Sequence, residues 1–403
     1  MAQQVPEKFG KCKVLRRIGR GATAIVYLAK HEGLDMPVAV KVLRRQLSQK
    51  KPQYAERFLR EARMAAWLQH PNIVRVIDCG IEGGFHYMVM DYVDGPNCRQ
   101  QVRDHKRGLH WREAAEIVRQ ASVGLAYAAA RDVIHRDVKP SNIMIESSGR
   151  IRVTDLGLAK LSIKGMADLT QELHTVGTPN YMSPEQIQSM PDLDLRSDVY
   201  ALGATFYHLV TGRPPFLGST AMEVIAQHLS SPLVPPREVR SSLPREVSSI
   251  ICKMMAKQRD ERYQTYEAVI EDVEKVLEGR EPVAEGFKDV GAGIEDEAEL
   301  RRVLDELSFA ADLKIEDEEE TESVTEETGL GLDEERSTSE IDLFGPEDLV
   351  SYREEDAEER QQAESTKALQ QRRERATAII VAAIVIGVIA LIVVAVLATT
   401  SKP

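Results

Sequence analysis

Cysteine is scarce. Four (Cys12, Cys79, Cys98, Cys252) are spread over 403 residues, and none sits in a C-x-x-C spacing. That pattern excludes a disulfide framework and a zinc site and suits reduced thiols in a cytosolic domain. Met1 to Lys13 is polar and charged, so no apolar run of the kind a secretory signal needs is expected there. From about Gly279 to Leu369 apolar side chains thin out and Glu and Asp dominate, as in Glu316 to Glu320 and Glu354 to Glu359. A stretch so poor in apolar groups and so strongly of one sign cannot offset the entropy of ordering, and it reads as disordered.

What is present is unevenly distributed. The net charge of −12 describes no single part of the chain. Residues 1–280 carry 40 basic against 32 acidic residues, residues 281–370 carry 8 against 31, and residues 371–403 carry 4 against 1. The length corresponds to roughly two to three domains' worth of chain.

Ala378 to Ala398 is 21 consecutive residues drawn only from Ala, Ile, Val, Leu and Gly. As a helix it is about 30 Å long, the thickness of a bilayer's hydrocarbon core, so a transmembrane helix is expected over 378–398. A buried core helix is the alternative, but no neighbouring segment supplies a core around it. Arg372-Arg373-Glu374-Arg375 precedes the run and Thr399 to Pro403 follow it. The positive-inside rule then makes 399–403 a short extracytoplasmic tail and puts the rest in the cytoplasm of a single-pass protein of the cell membrane. Ala383 and Gly387 have the small-xxx-small spacing that lets two spans pack, which leaves a dimer open.

Residues 278–371 then form an acidic juxtamembrane linker, spanning on the order of 50 Å as a flexible chain and more under self-repulsion. Short islands such as Leu300 to Leu313 have the composition of a transient helix. Thr321, Thr325, Thr328 and Ser337 to Ser339 sit among acidic residues. Two readings follow: a solvated spacer, or a phosphorylated region that recruits phosphothreonine-binding partners through arginine clusters.

The most specific signal is His135 to Asn142, H-R-D-V-K-P-S-N, followed by Asp155-Leu156-Gly157 on what reads as the next strand pair. A base, a cationic phosphate contact and two metal ligands fall close together. Phosphoryl transfer asks the protein mostly to position groups and neutralise charge, so these residue types are the machinery itself. On these residues the sequence resembles the protein kinase family. Y-M-S-P-E-Q (Tyr181 to Gln186) and R-S-D-V-Y-A-L-G (Arg196 to Gly203) are closest to its bacterial transmembrane serine/threonine members. The resemblance covers residues 9–277. It implies an α+β, two-lobed protein-kinase-like fold, with a small β-rich lobe carrying one key helix and a larger helical lobe. The disordered acidic linker and C-terminal transmembrane helix follow it.

Residue by residue, the resemblance implies the following. I-G-R-G-A-T-A-I-V-Y (Ile18 to Tyr27) reads as a hairpin with a glycine turn, the loop that covers the phosphates of ATP. Ile18, Gly19, Arg20, Gly21, Ala22, Thr23, Ala24, Ile25 and Val26 would line the nucleotide, with Ala24 in place of the usual third glycine. V-A-V-K ends in Lys41, which contacts the α/β-phosphates and pairs with Glu61 on a helix over Gln53 to Leu68; Glu56 is the local competitor. His86 to Gly95 resembles the link between lobes, with Met90 as gatekeeper and Asp91 to Val93 offering backbone hydrogen bonds to adenine. Val26 and Ala39 would roof the adenine, Met144 would floor it, and Asn97 would approach the ribose.

Trp111 to Arg131 reads as the helix leading into the catalytic loop. There Asp137 accepts or orients the substrate hydroxyl proton, Lys139 contacts the γ-phosphate, and Asn142 and Asp155 hold Mg²⁺. Lys139 is the serine/threonine version of that loop. Leu156 stands where the family usually has phenylalanine. His135 reads as a structural histidine.

Arg136 marks the subset of kinases controlled by phosphorylation of the loop from Leu158 to Met182. That loop offers Ser162, Thr170, Thr175 and Thr178; Thr170 and Thr175 are the better phosphosites, and Thr178 reads as structural. Ser183-Pro184-Glu185, a Glu185–Arg262 pair and a buried Asp198 would brace the substrate platform and the catalytic loop.

The expected activity is transfer of the ATP γ-phosphoryl to Ser or Thr of protein substrates, the chain itself included. Nucleic acid is not an expected partner. The relatives' extracellular sensor repeats are not seen after the apolar run, which favours a cytoplasmic signal. A pseudokinase scaffold is the main rival, and a kinase of small molecules the second.

Overall fold

The computed structural model describes residues 6–21, 23–50, 52–105, 107–156, 179–284, 287 and 300–304. The first part is a six-stranded antiparallel sheet in the order β1-β2-β3-β4-β6-β5. Its strands are β1 (Lys8–Phe9), β2 (Cys12–Arg20), β3 (Ala24–His31), β4 (Met36–Leu43), β5 (Val76–Glu82) and β6 (Phe85–Asp91). Between β4 and β5 lie α1 (Arg45–Lys50) and α2 (Pro52–Ala65).

Strand alternation decides which side chains reach the site. Val38, Val40 and Val42 of β4, with Tyr87 and Val89 of β6, pack on one face with Phe9 and Cys12. Ala39 and Leu43, with Met88 and Met90, face the other way and meet Ala55, Phe58, Ala62 and Ala65 of α2. Lys41 falls on this second parity, so the strand period sends its side chain to the α2 side of the sheet.

The second part is helical. It contains α3 (Cys98–Asp104), α4 (Trp111–Ala129), the two-stranded pair β7 (Ile143–Ile145) and β8 (Ile151–Val153), and α5 (Pro184–Ile187). Next come α6 (Leu195–Thr211), α7 (Ala221–Ser230), α8 (Pro236–Val239), α9 (Arg245–Met254) and α10 (Tyr266–Leu277). α6 is buried almost all round from Ser197 to Thr211, as expected of a helix at the centre of a core. The Asp194 carboxylate caps its start, and Gly212 at φ 77° ends it in the left-handed conformation that glycine tolerates best. α4, α9 and α10 pack around it in the largest apolar cluster among the described residues.

The connection between the parts follows β6. Gly95 lies at φ 152°, and a Cβ there would fall 2.0 Å from the Ile145 carbonyl oxygen, so only glycine lets the backbone pass β7 this closely.

Order continues past Leu277. The Asp272 carboxylate accepts the Val283 and Ala284 N–H groups at 2.8 and 3.0 Å, and the Ala284 side chain is buried. Residues 300–304 are helical and pack on the domain through Val303. The sequence places these positions in an acidic, disordered stretch, with Leu300 to Leu313 as an island of transient helix. Its sparse apolar side chains account for the difference, because they find buried partners. The rest of the linker and the apolar run 378–398 lie outside the described residues. Among the described residues no helix is long and apolar enough to cross a membrane. All four cysteines are free thiols.

Candidate active site

The loop from His135 to Asn142 is built from the inside outwards. His135 is fully buried; its Nδ1 accepts the Asp137 N–H at 3.2 Å, so its Nε2 carries the proton and donates to the Thr154 carbonyl at 3.0 Å. This is a structural role. Below it, the Asp198 carboxylate of α6 accepts the backbone N–H groups of His135 and Arg136, each at 2.7 Å, and the Tyr266 hydroxyl at 3.3 Å. Burial pushes the Asp198 carboxyl up, and the His135, Arg136 and Tyr266 donors oppose it. The anchor holds Arg136 at φ 62°, a left-handed conformation that a bulky residue adopts only when its surroundings enforce it.

On this base the polar groups converge. Lys139 Nζ lies 2.8 Å from Asp137 Oδ2, and Asn142 Nδ2 donates to the Asp137 carbonyl at 2.9 Å and to Asp137 Oδ2 at 3.1 Å. With its NH₂ so engaged, the Asn142 amide oxygen faces away from Asp137, and the Ser141 hydroxyl donates to it at 3.3 Å. Across the cleft, Lys41 Nζ lies 2.8 Å from Asp155 Oδ1. Burial alone would pull Lys41 down, but Asp155, then Glu61 and Asp137, outweigh it, and its pKa stands above the ordinary lysine value. The lysine's short partner is thus Asp155, 114 residues away in sequence, with Glu61 adding its attraction. Glu61 and Asp155 line a cavity of about 20 Å³, room for about one water, together with Met88, Met90 and Leu156.

Ala39, Met90, Val93 and Leu156 are buried in one cluster, against which Ile18, Val26 and Met144 pack. The apolar residues expected to cage a flat ring are therefore brought together. In the glycine turn, Gly19 pairs with Val26 and Arg20 with Ile25, and the Gly21 N–H donates to the Ala24 carbonyl at 2.8 Å. Thr23 follows in the turn, its carbonyl accepting the Arg44 N–H at 2.9 Å. Ala22 lies outside the described residues, as do Gly157, Ser162, Thr170, Thr175, Gly177 and Thr178.

Asn97 caps a helix. Its side chain accepts the Gln100 N–H at 2.9 Å while Gln100 returns a bond to the Asn97 N–H, a reciprocal cap that starts α3. The cap accounts for an asparagine here.

A second finding is the bridge beside the connection. Asp91 Oδ2 meets Arg152 Nη2 at 2.8 Å and Asp91 Oδ1 meets Arg75 Nη2 at 3.2 Å; Arg152 also donates to the Ile73 carbonyl at 3.1 Å. The Asp91 N–H is taken by the Arg75 carbonyl at 3.0 Å, so it is not available to a ligand. The bridge joins β8 to the end of β6. Sequence reasoning missed Arg152, which looks like any solvated position of a short strand.

The donor chemistry suits a small hard cation. The Asn142 amide oxygen and the Asp155 carboxylate are the oxygen ligands that Mg²⁺ takes alongside phosphate oxygens and waters. Lys41 lies beside that carboxylate, 2.8 Å from its Oδ1. Arg136 is pulled below its ordinary value by burial, against the attraction of Asp198, and its Nε is buried with no partner among the described residues.

Comparison with known proteins agrees with this geometry. The profile of the protein kinase domain matches residues 12–273. The chain is 40% identical over 253 residues to the serine/threonine-protein kinase PknB of Mycobacterium leprae, covering 62% of this chain and 40% of that protein. It is 37% identical over 264 residues to PrkC of Bacillus subtilis, a serine/threonine-protein kinase, covering 66% and 40%. It therefore spans about 40% of the length of these curated relatives. Among solved structures, the Mycobacterium tuberculosis PknI kinase domain superposes with a TM-score of 0.54 at 30% identity, covering 67% of this chain and 97% of that one.

Proposed function

The chain belongs to the protein kinase family, and from that premise we propose that it is a membrane-anchored serine/threonine kinase, transferring the γ-phosphoryl of ATP to hydroxyls of proteins, its own chain included. The observation that carries this reading is the pair of charge arrangements facing one cleft. Asp137 is held by Lys139 and Asn142, and Lys41 is held by Asp155. A scaffold that had lost catalysis has no need of all five groups.

In this mechanism Asp137 orients the attacking hydroxyl and takes its proton. Lys139, already beside that carboxylate, neutralises the transferring group, and Lys41 orients the α/β-phosphates. Mg²⁺, when bound by Asn142 and Asp155, neutralises charge on the phosphate oxygens. The cluster of Val26, Ala39, Met90, Val93 and Met144 takes the adenine. Lysine at position 139 supports serine and threonine over tyrosine as acceptors. The buried Nε of Arg136 supports control by a phosphate on Thr170 or Thr175, because a charge-assisted bond would satisfy it.

The anchor rests on the apolar run 378–398 and its basic flank. The cytoplasmic placement, the dimer and phosphothreonine-binding partners on the linker rest on sequence as well. The test is incubation of the full chain in bilayers with Mg-ATP, followed by mapping of every incorporated phosphate. Phosphate on Thr170 or Thr175, absent from Asp137→Asn and Lys41→Met, is the expected result. Nucleotide binding without any incorporation would replace the kinase by a scaffold. Recovery of the full chain from the soluble fraction of cells would remove the anchor.

A further inference from the structure

The large lobe carries an apolar groove whose occupant comes from far along the chain. Ile187 of α5 and Met222, Ile225 and Leu229 of α7, with Met182, form the groove, and Leu300, Val303 and Leu304 fill it. These three are spaced i, i+3, i+4, so one helical face supplies all of them, while Arg301 and Arg302 are exposed. Ile187, Ile225, Leu229 and Val303 are all buried. The cluster is separate from the main core of the lobe, so the lobe is packed without it. Its occupant, residues 300–304, lies beyond residues 12–273, which the domain profile spans.

We propose that this groove is a docking site for a short amphipathic motif, Leu-x-x-Val-Leu, and that its resident ligand is the chain's own Leu300–Leu304. A short helix has little stability alone in water, so docking and helix formation are one event, and the contact is reversible. Met182, at the groove's edge, directly precedes Ser183, Pro184 and Glu185, so the docked segment covers one side of the substrate platform. Resting on the kinase reading, the resident thereby holds off protein substrates until it leaves.

The tether gives the resident a high effective concentration, which a free peptide must overcome. A labelled peptide of residues 298–308 is titrated against the full chain in bilayers, as wild type and as Val303→Asp. The peptide is expected to bind Val303→Asp at least ~10-fold more tightly than wild type. Adding Met222→Asp to the chain, or Val303→Asp to the peptide, abolishes that binding; the peptide variant reads the same contact without touching the folded domain. Equal affinity for wild type and Val303→Asp, or binding that survives the altered peptide, overturns the docking site. In the same preparations the KM for a protein substrate is expected to fall several-fold in Val303→Asp while the KM for ATP stays. An unchanged protein KM overturns the shielding. Absence of phosphate transfer by every form sinks the kinase reading and leaves the peptide result standing.

Discussion

Arg262 grips Glu185 with two parallel bonds, Nη1 to Oε1 at 2.7 Å and Nη2 to Oε2 at 2.9 Å, and neither side chain is more than 3% exposed. Ser197 Oγ donates to the same Oε1 at 2.7 Å, and the remaining guanidinium hydrogens go to the carbonyls of Ala256, Arg196 and Lys257. Burial pushes the Glu185 carboxyl up, but Arg262 and Ser197 more than reverse it, so it stays below the ordinary glutamate range. The pair thus fixes α5 to the helical core.

Removing one partner of such a pair leaves the other charged and buried. Arg262→Ala is therefore expected to lower stability by about 3–5 kcal/mol, measured by denaturant unfolding. A loss below about 1 kcal/mol, the worth of an exposed pair, would mean that the platform is braced elsewhere. In acid, the contribution of Glu185 is complete above the unfolded glutamate pKa of 4.5 and is lost as pH falls through the lower folded value.

A second acid response comes from His208 on α6. Its Nδ1 is hydrogen-bonded to the Tyr181 hydroxyl at 2.6 Å, and burial, then the nearby Arg99, push its pKa down to about 4. Below pH 6.5 the unfolded imidazole gains a proton that the folded one refuses until about pH 4. Stability therefore falls as pH drops across that window and His208 adds no further loss below it, for a total of about 3 kcal/mol. Melting temperatures between pH 7 and pH 4 should fall more steeply for wild type than for His208→Asn, which keeps a polar partner for Tyr181 but does not titrate. Parallel curves would place the acid sensitivity in other groups.

Lys41 separates chemistry from folding. Its partner Asp155 is 37% exposed, so water can take over the carboxylate when the ammonium is removed. Lys41→Met should leave the melting temperature nearly unchanged while phosphate transfer falls by roughly 10²–10³, the usual cost of deleting one preorganised charge. A parallel collapse of stability would recast Lys41 as a structural cation.

His135 to Asn142 is legible in sequence because its groups are neighbours in the chain and the loop needs them in that order. β4 is legible because alternation separates Val38, Val40 and Val42 from Ala39 and Lys41. The 2.8 Å bond from Lys41 to Asp155 is not, since nothing local reveals which of several carboxylates lies nearest after folding. The cap at Asn97 is not legible either, since a cap and a ligand contact ask for the same side chain and only the fold shows the reciprocal bond with Gln100. Leu300 to Leu313 reads in sequence as a transient helix, but the docking of Val303 does not show there. Its partners, Ile187 and Ile225, lie more than seventy residues earlier in the chain.

Arg152 yields the last prediction. Its guanidinium holds Asp91 at the end of β6 while donating to the Ile73 carbonyl and, at 3.3 Å, to Glu146. It is the cation that joins β8 to the connection where adenine is proposed to bind, and its Nε is already buried without a partner among the described residues. Arg152→Met keeps much of the volume and removes the bridge, leaving the Asp91 carboxylate, 16% exposed, with only the more exposed Arg75. A connection freed in this way should hold the nucleotide less well without altering Asp137, Lys139 or Asn142. The expected result is a KM for ATP raised several-fold with kcat nearly unchanged, alongside a stability loss of about 2–4 kcal/mol, slightly less than for a fully buried pair. A fall in kcat at constant KM would instead tie Arg152 to the catalytic loop, and would remove the bridge from any part in nucleotide binding.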